Sequence, residues 1–206
     1  MIDPQGWAHQ PVPGDSIAVN GCCLTFADSI EQATAGGHTH WVFDVVPQTA
    51  GLTTLGSLQP GHSVNLEHAV TAETMLGGHV VQGHIDGVGT VASRSEDGDD
   101  CRLQIIPPAD AMECIVERGS IALAGVSLTV AAVGRDSFEV ALIPTTRRET
   151  NLDSLRCGDA VNIEVDYIAR IVTTWLRRYH GSFFGTDGAD GRGKTDRRGE
   201  SQRHRD

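Results

Sequence analysis

The residues able to do chemistry in this 206-residue chain fall into two small groups with the same spacing. Cys22 and Cys23 follow Gly21 and are followed by Leu24 and Thr25; far downstream, Val126 and Ser127 follow Gly125 and are followed by Leu128 and Thr129. A thiol or a hydroxyl can act as nucleophile, hydrogen-bond partner or proton relay, depending on its neighbours. Between the groups runs Met75-Leu76-Gly77-Gly78-His79-Val80-Val81-Gln82-Gly83-His84, the most glycine-dense part of the body. No Gly-Lys-Ser/Thr follows it and no helix signal opens after it, which argues against a phosphate loop. Its glycines suit a tight crossover that brings backbone close to a small ligand. His79 within it reads as a structural histidine. The five cysteines (Cys22, Cys23, Cys101, Cys114 and Cys157) form an odd set without C-x-x-C spacing and read as reduced thiols.

These groups must be positioned by the elements around them, and those elements are written twice. Ser16-Ile17-Ala18-Val19-Asn20-Gly21-Cys22-Cys23-Leu24-Thr25-Phe26 is answered without a gap by Ser120-Ile121-Ala122-Leu123-Ala124-Gly125-Val126-Ser127-Leu128-Thr129-Val130. Phe43-Asp44-Val45, with Pro47, Thr49, Thr53, Leu55, Gly61, Asn65 and Glu67, is answered by Phe138-Glu139-Val140, with Pro144, Thr146, Thr150, Leu152, Gly158, Asn162 and Glu164. A period near a hundred residues exceeds that of solenoid repeats and marks a duplicated domain. Ile17 and Val19 alternate, Leu24 and Phe26 alternate, and 40–45 and 63–67 read as further strands punctuated by Gly and Pro. Short strands of this kind imply small antiparallel barrels or sandwiches. On a strand, Cys22 and Cys23 point to opposite faces.

The second copy is preceded by two strand-like runs, 83–91 and 101–106, that have no counterpart before the first; Met1–Pro13 reads as irregular. Residues 167–179 place Ile168, Ile171, Val172, Trp175, Leu176 and Tyr179 on one stripe of a helix. That helix either covers a barrel end or mediates self-association. From residue 181 the chain loses periodicity and reads as a disordered tail. The net charge of −11 argues against a nucleic-acid partner, and no apolar run is long enough to span a bilayer. With no secretory pattern at the N-terminus, the cytoplasm is the expected compartment.

Together, Asn20-Gly21-Cys22-Cys23-Leu24-Thr25, Gly77-Gly78-His79 with Gln82-Gly83-His84, Gly125-Val126-Ser127-Leu128-Thr129, Ile143-Pro144-Thr145-Thr146 with Thr150-Asn151-Leu152, and Val161-Asn162-Ile163-Glu164-Val165-Asp166 resemble the riboflavin synthase family of duplicated lumazine-binding barrels. The resemblance runs from about Gly14 to about Tyr179. It implies an all-β protein of two tandem Greek-key antiparallel barrels, over 1–76 and 77–166, with a C-terminal trimerisation helix over 167–180. It also implies that two molecules of 6,7-dimethyl-8-ribityllumazine exchange a four-carbon unit, giving riboflavin and 5-amino-6-ribitylamino-uracil, with no metal or redox cofactor. The implied assembly is a homotrimer with sites shared between neighbouring subunits; association with lumazine synthase is an expectation of the same kind.

By the same resemblance, Cys23, His84, Ser127 and Asp166 carry catalysis. Substrate contacts fall on Cys23, Leu24 and Thr25 with Asp44, Val45, Val46, Pro47, Gln48 and Thr49 in the first half. In the second they fall on Ser127, Leu128 and Thr129 with Leu142, Ile143, Pro144, Thr145, Thr146 and Arg147. Gly83, His84, Ile85 and Arg118 complete the set, Arg118 standing where the family usually has lysine. Asp166 has an alternative use as a helix cap. Nothing in Met1–Pro13 matches the family's opening Phe-Thr-Gly strand, so the first barrel is expected to lack its first strands. Two functions follow from this: the synthase, or a non-catalytic lumazine- or flavin-binding protein of the same fold, an inactive truncated synthase included.

Overall fold

The computed structural model describes residues 1–4, 6–31, 39–75, 77–98 and 100–183. The first half contributes strands β1 (Ser16–Val19), β2 (Cys22–Glu31), β3 (Thr39–Phe43) and β4 (Leu66–His68), and helix α1 (Pro47–Leu52). The second contributes β5 (Gly87–Asp97), β6 (Asp100–Ile106), β7 (Ser120–Leu123), β8 (Val126–Val133), β9 (Phe138–Leu142) and β10 (Ala160–Val165), with helices α2 (Ala109–Met112) and α3 (Pro144–Glu149). Helix α4 (Tyr167–Phe183) ends the described chain.

The second half closes into a six-stranded barrel ordered β10-β5-β6-β9-β8-β7, whereas the first is a four-stranded sheet ordered β3-β2-β1-β4. Alternation decides which side chains fill the barrel: along β6, Cys101, Leu103 and Ile105 are buried while Gln104 and Ile106 face outward. The duplication is geometric as well as textual. Ile17 opposite Leu24 is repeated by Ile121 opposite Leu128. A bulge after Phe26 is repeated by one after Val130. Among the described residues, strands β5 and β6 have no strand equivalent in the first half, as the sequence predicts. Their place against β3 is taken by a single antiparallel bridge between Ile2 and Trp41, so the opening segment is not wholly irregular. Ile2 faces Trp41 as Ile105 faces Phe138. Trp7 then packs on Trp41 with ring centroids 5.2 Å apart.

That register corrects the textual alignment. Phe26 pairs with Phe43 where Val130 pairs with Val140, so the partner of Phe138 in the repeat is Trp41, two residues earlier than the matched phenylalanines. A slip of two keeps every side chain on its own face, so the pattern alone could not detect it. Other boundaries move for local reasons. The strand predicted from residue 63 forms only at Leu66, because Asn65 is used to bridge the two halves. The strand predicted from Gly83 begins at Gly87, because the preceding backbone is tethered elsewhere. Helix α4 runs on through residues 181–183, and the rest of the expected tail lies outside the described residues.

The halves meet across a local two-fold relationship. Asn162 donates from Nδ2 to the Asn20 carbonyl at 2.9 Å and accepts from the Thr54 N–H at 2.7 Å. Asn65, its repeat equivalent, donates to the Ala124 carbonyl at 2.9 Å and accepts from the Asn151 N–H at 2.8 Å. Each asparagine thus satisfies one donor and one acceptor of the opposite half, which a buried amide requires. At the axis, the Asn20-Gly21 and Ala124-Gly125 turns lie back to back. A Cβ on Gly21 would stand 2.5 Å from the Gly125 nitrogen, and both glycines have positive φ (76° and 83°).

Candidate functional site

Two equivalent outward faces carry the predicted residues. On β2, Cys22, Leu24 and Phe26 point into the core, and Cys23 and Thr25 are exposed. On β8, Val130 points inward, and Ser127 and Thr129 are exposed. Leu24 is buried and Leu128 packs against the second core, so each can offer a ligand little beyond its backbone. Burial raises the Cys22 thiol pKa, with Cys23 and then Glu164 adding to it, which keeps Cys22 protonated.

Helices α1 and α3 flank these faces in the same way. Each starts on a proline, and each is followed by a threonine that donates its hydroxyl back to a helix carbonyl at 2.7 Å, Thr53 to Thr49 and Thr150 to Thr146. Their N-cap positions hold Val46 and Ile143, which make no side-chain cap bond and are 59 % and 62 % exposed. A polar cap there is worth about 1 kcal/mol. Giving it up for an exposed apolar side chain, at the same place in both halves, fits a surface that receives an apolar ring. Asp44, Pro47, Gln48, Pro144 and Thr145 are exposed beside them, and Val45 is exposed whereas Leu142 belongs to the core.

Arg147 is drawn away from this face. Its Nε donates to Asp153 at 2.7 Å, and Arg94 donates to the same carboxylate at 2.9 Å. Hydrogen bonds from Arg147 and then Arg94 hold the Asp153 carboxyl below its ordinary range, and Arg94 does the same to Glu96. Glu96, Cys101 and Asp153 converge closely enough to ligate a cation, but the two guanidinium groups already neutralise their carboxylates.

The glycine-rich crossover connects the two faces, and its anchor is one of the two glutamates that the repeat sets in register. Glu164, 1 % exposed, accepts from the Gln82 N–H at 2.7 Å and the Gly83 N–H at 2.9 Å. Gly83 in turn accepts from the Cys23 N–H at 2.9 Å. A Cβ on Gly83 would lie 2.6 Å from that of Cys23, so no larger residue fits between the second barrel and the first sheet. The Glu67/Glu164 repetition was visible in the sequence, but one carboxylate is exposed and the other buried, and only the crossover's path separates them. At the other end, His79 Nδ1 lies 2.9 Å from Ser127 Oγ. The structural histidine thus touches one of the predicted catalytic groups.

Of the remaining predicted residues, His84 is exposed next to Gly83, and Ile85 packs on the first core. Arg118 is exposed with φ of 64°, and its N–H donates to the Val130 carbonyl at 2.9 Å, placing its backbone beside β8. Asp166 caps α4: its Oδ1 accepts from the Ala169 N–H at 2.9 Å. Asp86 pins the same helix start through Arg170 at 2.7 Å and the Val165 N–H at 2.8 Å. The apolar stripe of α4 is exposed, Ile168 by 68 % and Trp175 by 47 %. Among the described residues, no helix is long and apolar enough to cross a membrane. A cleft of about 1310 Å³ lies along the junction of the halves beside Asn20, Asn65 and Asn151, and includes none of Cys23, Thr25, Ser127 or Thr129.

The lumazine binding domain family matches residues 4–69 and again 82–166. The chain is 44 % identical over 169 residues to the riboflavin synthase of Mycobacterium tuberculosis (strain ATCC 25618 / H37Rv), covering 80 % of each chain. It is 38 % identical over 158 residues to that of Schizosaccharomyces pombe (strain 972 / ATCC 24843), covering 76 % of this chain and 73 % of the relative. Among solved structures, LumP complexed with riboflavin superposes with a TM-score of 0.65 at 29 % identity, over 75 % of this chain and 80 % of that one. LumP complexed with 6,7-dimethyl-8-(1'-D-ribityl) lumazine gives 0.63 over 75 % and 79 %. The chain belongs to the riboflavin synthase family of lumazine-binding proteins.

Proposed function

We propose that this protein is a riboflavin synthase, converting two molecules of 6,7-dimethyl-8-ribityllumazine into riboflavin and 5-amino-6-ribitylamino-uracil. The observation that carries this reading is that both halves keep a complete outward face: Cys23 and Thr25 beside Val46 and Pro47, and Ser127 and Thr129 beside Ile143 and Pro144. A dismutation between identical molecules needs two similar pockets, and a duplicated domain supplies both. Holding the two rings against each other can lower the barrier by roughly 7 to 11 kcal/mol in favourable cases. The C7 methyl of the lumazine is acidic, and loss of its proton gives the carbanion that attacks the second molecule. To Cys23, Ser127 and His84 we assign the moving or holding of that proton, and the two products together contain every atom of the two substrates.

Neither face is enclosed within one protomer, which supports closing each site against a neighbouring subunit. The exposed stripe of α4 suits self-association, and a homotrimer built on it would bring the first half of one subunit to the second half of the next. Asp166 at the helix start would then lie near the shared site. Association with lumazine synthase and a cytoplasmic setting complete the reading.

Incubation with the lumazine tests it. One riboflavin formed for every two lumazines consumed is the expected result. A fluorescence change on binding with no riboflavin would replace the synthase by a lumazine-binding protein, the outcome that the open first sheet favours.

A further inference from the structure

The two faces differ by more than a thiol against a hydroxyl. Cys23 meets the crossover through its main chain, whereas Ser127 meets it through its reactive atom, 2.9 Å from His79 Nδ1. Gly78 lies against the same hydroxyl: a Cβ there would stand 3.1 Å from Oγ. The opposite ring nitrogen, His79 Nε2, is buried without a hydrogen-bond partner among the described residues, so its contact with Ser127 is the ring's one polar bond there. An unpaired buried polar group costs about 1–3 kcal/mol, and each instance in a native structure calls for an explanation.

We propose that His79 is a positioning residue for the second face. Its Nδ1 accepts the Ser127 hydroxyl proton, turning the lone pairs of Oγ toward the ligand, while Nε2 carries the ring's own proton. Among the described residues the first face has no equivalent contact on the Cys23 thiol, since the crossover reaches Cys23 through a carbonyl. The duplicated faces are therefore chemically unequal, and it is the second that can pass a proton from Ser127 into an imidazole and recover it. The consequence for turnover rests on the synthase reading; the pairing itself does not.

In a steady-state assay with the lumazine, His79→Ala lowers kcat by roughly ten- to a hundredfold with KM within about twofold, toward the low end of what positioned acid–base groups contribute. His79→Asn, which puts an amide at the Nδ1 position, recovers to within about threefold, and His79→Gln, which puts it at Nε2, does not. Adding Ser127→Ala to His79→Ala lowers kcat little beyond Ser127→Ala alone, as expected of groups acting together. Loss confined to KM, better rescue by Gln than by Asn, or additive losses would each overturn the proposal. Long-range proton–nitrogen NMR correlations of the wild-type protein decide the pairing even where no riboflavin is formed. An Nε2–H tautomer that loses its preference in Ser127→Ala is expected; an Nδ1–H tautomer, or one indifferent to Ser127→Ala, overturns it. Absence of wild-type turnover alongside the expected tautomer would remove the synthase reading and leave the pair standing.

Discussion

The closed half and the open half share a plan but not a core. Among the described residues, the barrel buries seventeen hydrophobic side chains in one cluster and the first sheet buries six. The extra ones come in part from β5, β6 and α2, which the first sheet replaces with the Ile2 bridge and the Trp7 ring, and in equal part from β9 and β10, whose first-half counterparts Phe43, Val64 and Leu66 are only partly buried. What was copied most closely is the part that meets the partner half, the back-to-back turns and the asparagine exchange, together with the outward Cys/Thr and Ser/Thr pairs and the apolar N-caps that we assign to the ligand. What diverged is the packing behind them. An outward Cys/Thr face can thus be held by a four-stranded sheet as long as the neighbouring barrel supplies the crossover and the junction.

The strongest test of that comparison is core truncation at matched positions. Phe138→Ala should cost about 3–5 kcal/mol, the range for a large aromatic in a closed core. Trp41→Ala should cost less, about 2–3 kcal/mol, because the open sheet can collapse around the gap and the Ile2 bridge can part first. Urea unfolding measures both, and equal costs would mean that the first half is as tightly supported as the second. Next, Glu164→Ala strands two buried N–H groups of the crossover and should cost about 3 kcal/mol, while Glu67→Ala at the exposed equivalent should fall within about 0.5 kcal/mol of wild type. Comparable effects in the same denaturation experiment would show that the crossover is not held by Glu164.

At the junction the halves should instead behave alike. Asn162→Ala and Asn65→Ala each remove two hydrogen bonds across the interface and should each cost roughly 2 kcal/mol, with the double variant non-additive by at least about 0.5 kcal/mol. Additivity would imply two independent contacts. The smallest expected effect concerns acid. Asp153 has its carboxyl pKa lowered by Arg147 and Arg94, and the first half has Gly56 at that position. A depressed folded-state pKa stabilises above the ordinary aspartate value of about 3.9 and loses that stabilisation as pH falls through the folded value. Asp153→Asn should therefore be less stable than wild type at neutral pH and indistinguishable from it in strong acid. Thermal unfolding across that range reads the difference, and a pH-independent gap would mean that Asp153 acts by packing rather than charge.

Much of this was legible in the residues. The repeat located both outward pairs, and period-two alternation assigned Cys22 and Cys23 to opposite faces. The helical stripe from Ile168 to Tyr179 was legible because apolar spacing survives any tertiary arrangement. Less was legible where chemistry depends on what comes across from elsewhere. Glu67 and Glu164 are the same residue at the same strand position, yet only one is buried against the crossover. Asp166 could serve as acid or cap, and it caps. Arg147 was placed with the ligand contacts, and its guanidinium is committed to Asp153, a partner six residues on that local pattern does not single out.

By itself the sequence determined that the chain is a duplicated β protein, which residues alternate outward, and that the two faces are copies, because side-chain periodicity and repetition are properties of the chain alone. Only the tertiary structure decided that an Ile2–Trp41 bridge stands in for the strands the first half lacks, that Trp41 rather than Phe43 answers Phe138, and that the crossover sets His79 on Ser127 and a carbonyl on Cys23. Those outcomes depend on backbone brought together from distant positions, where a two-residue slip or a change of partner leaves the linear pattern unchanged.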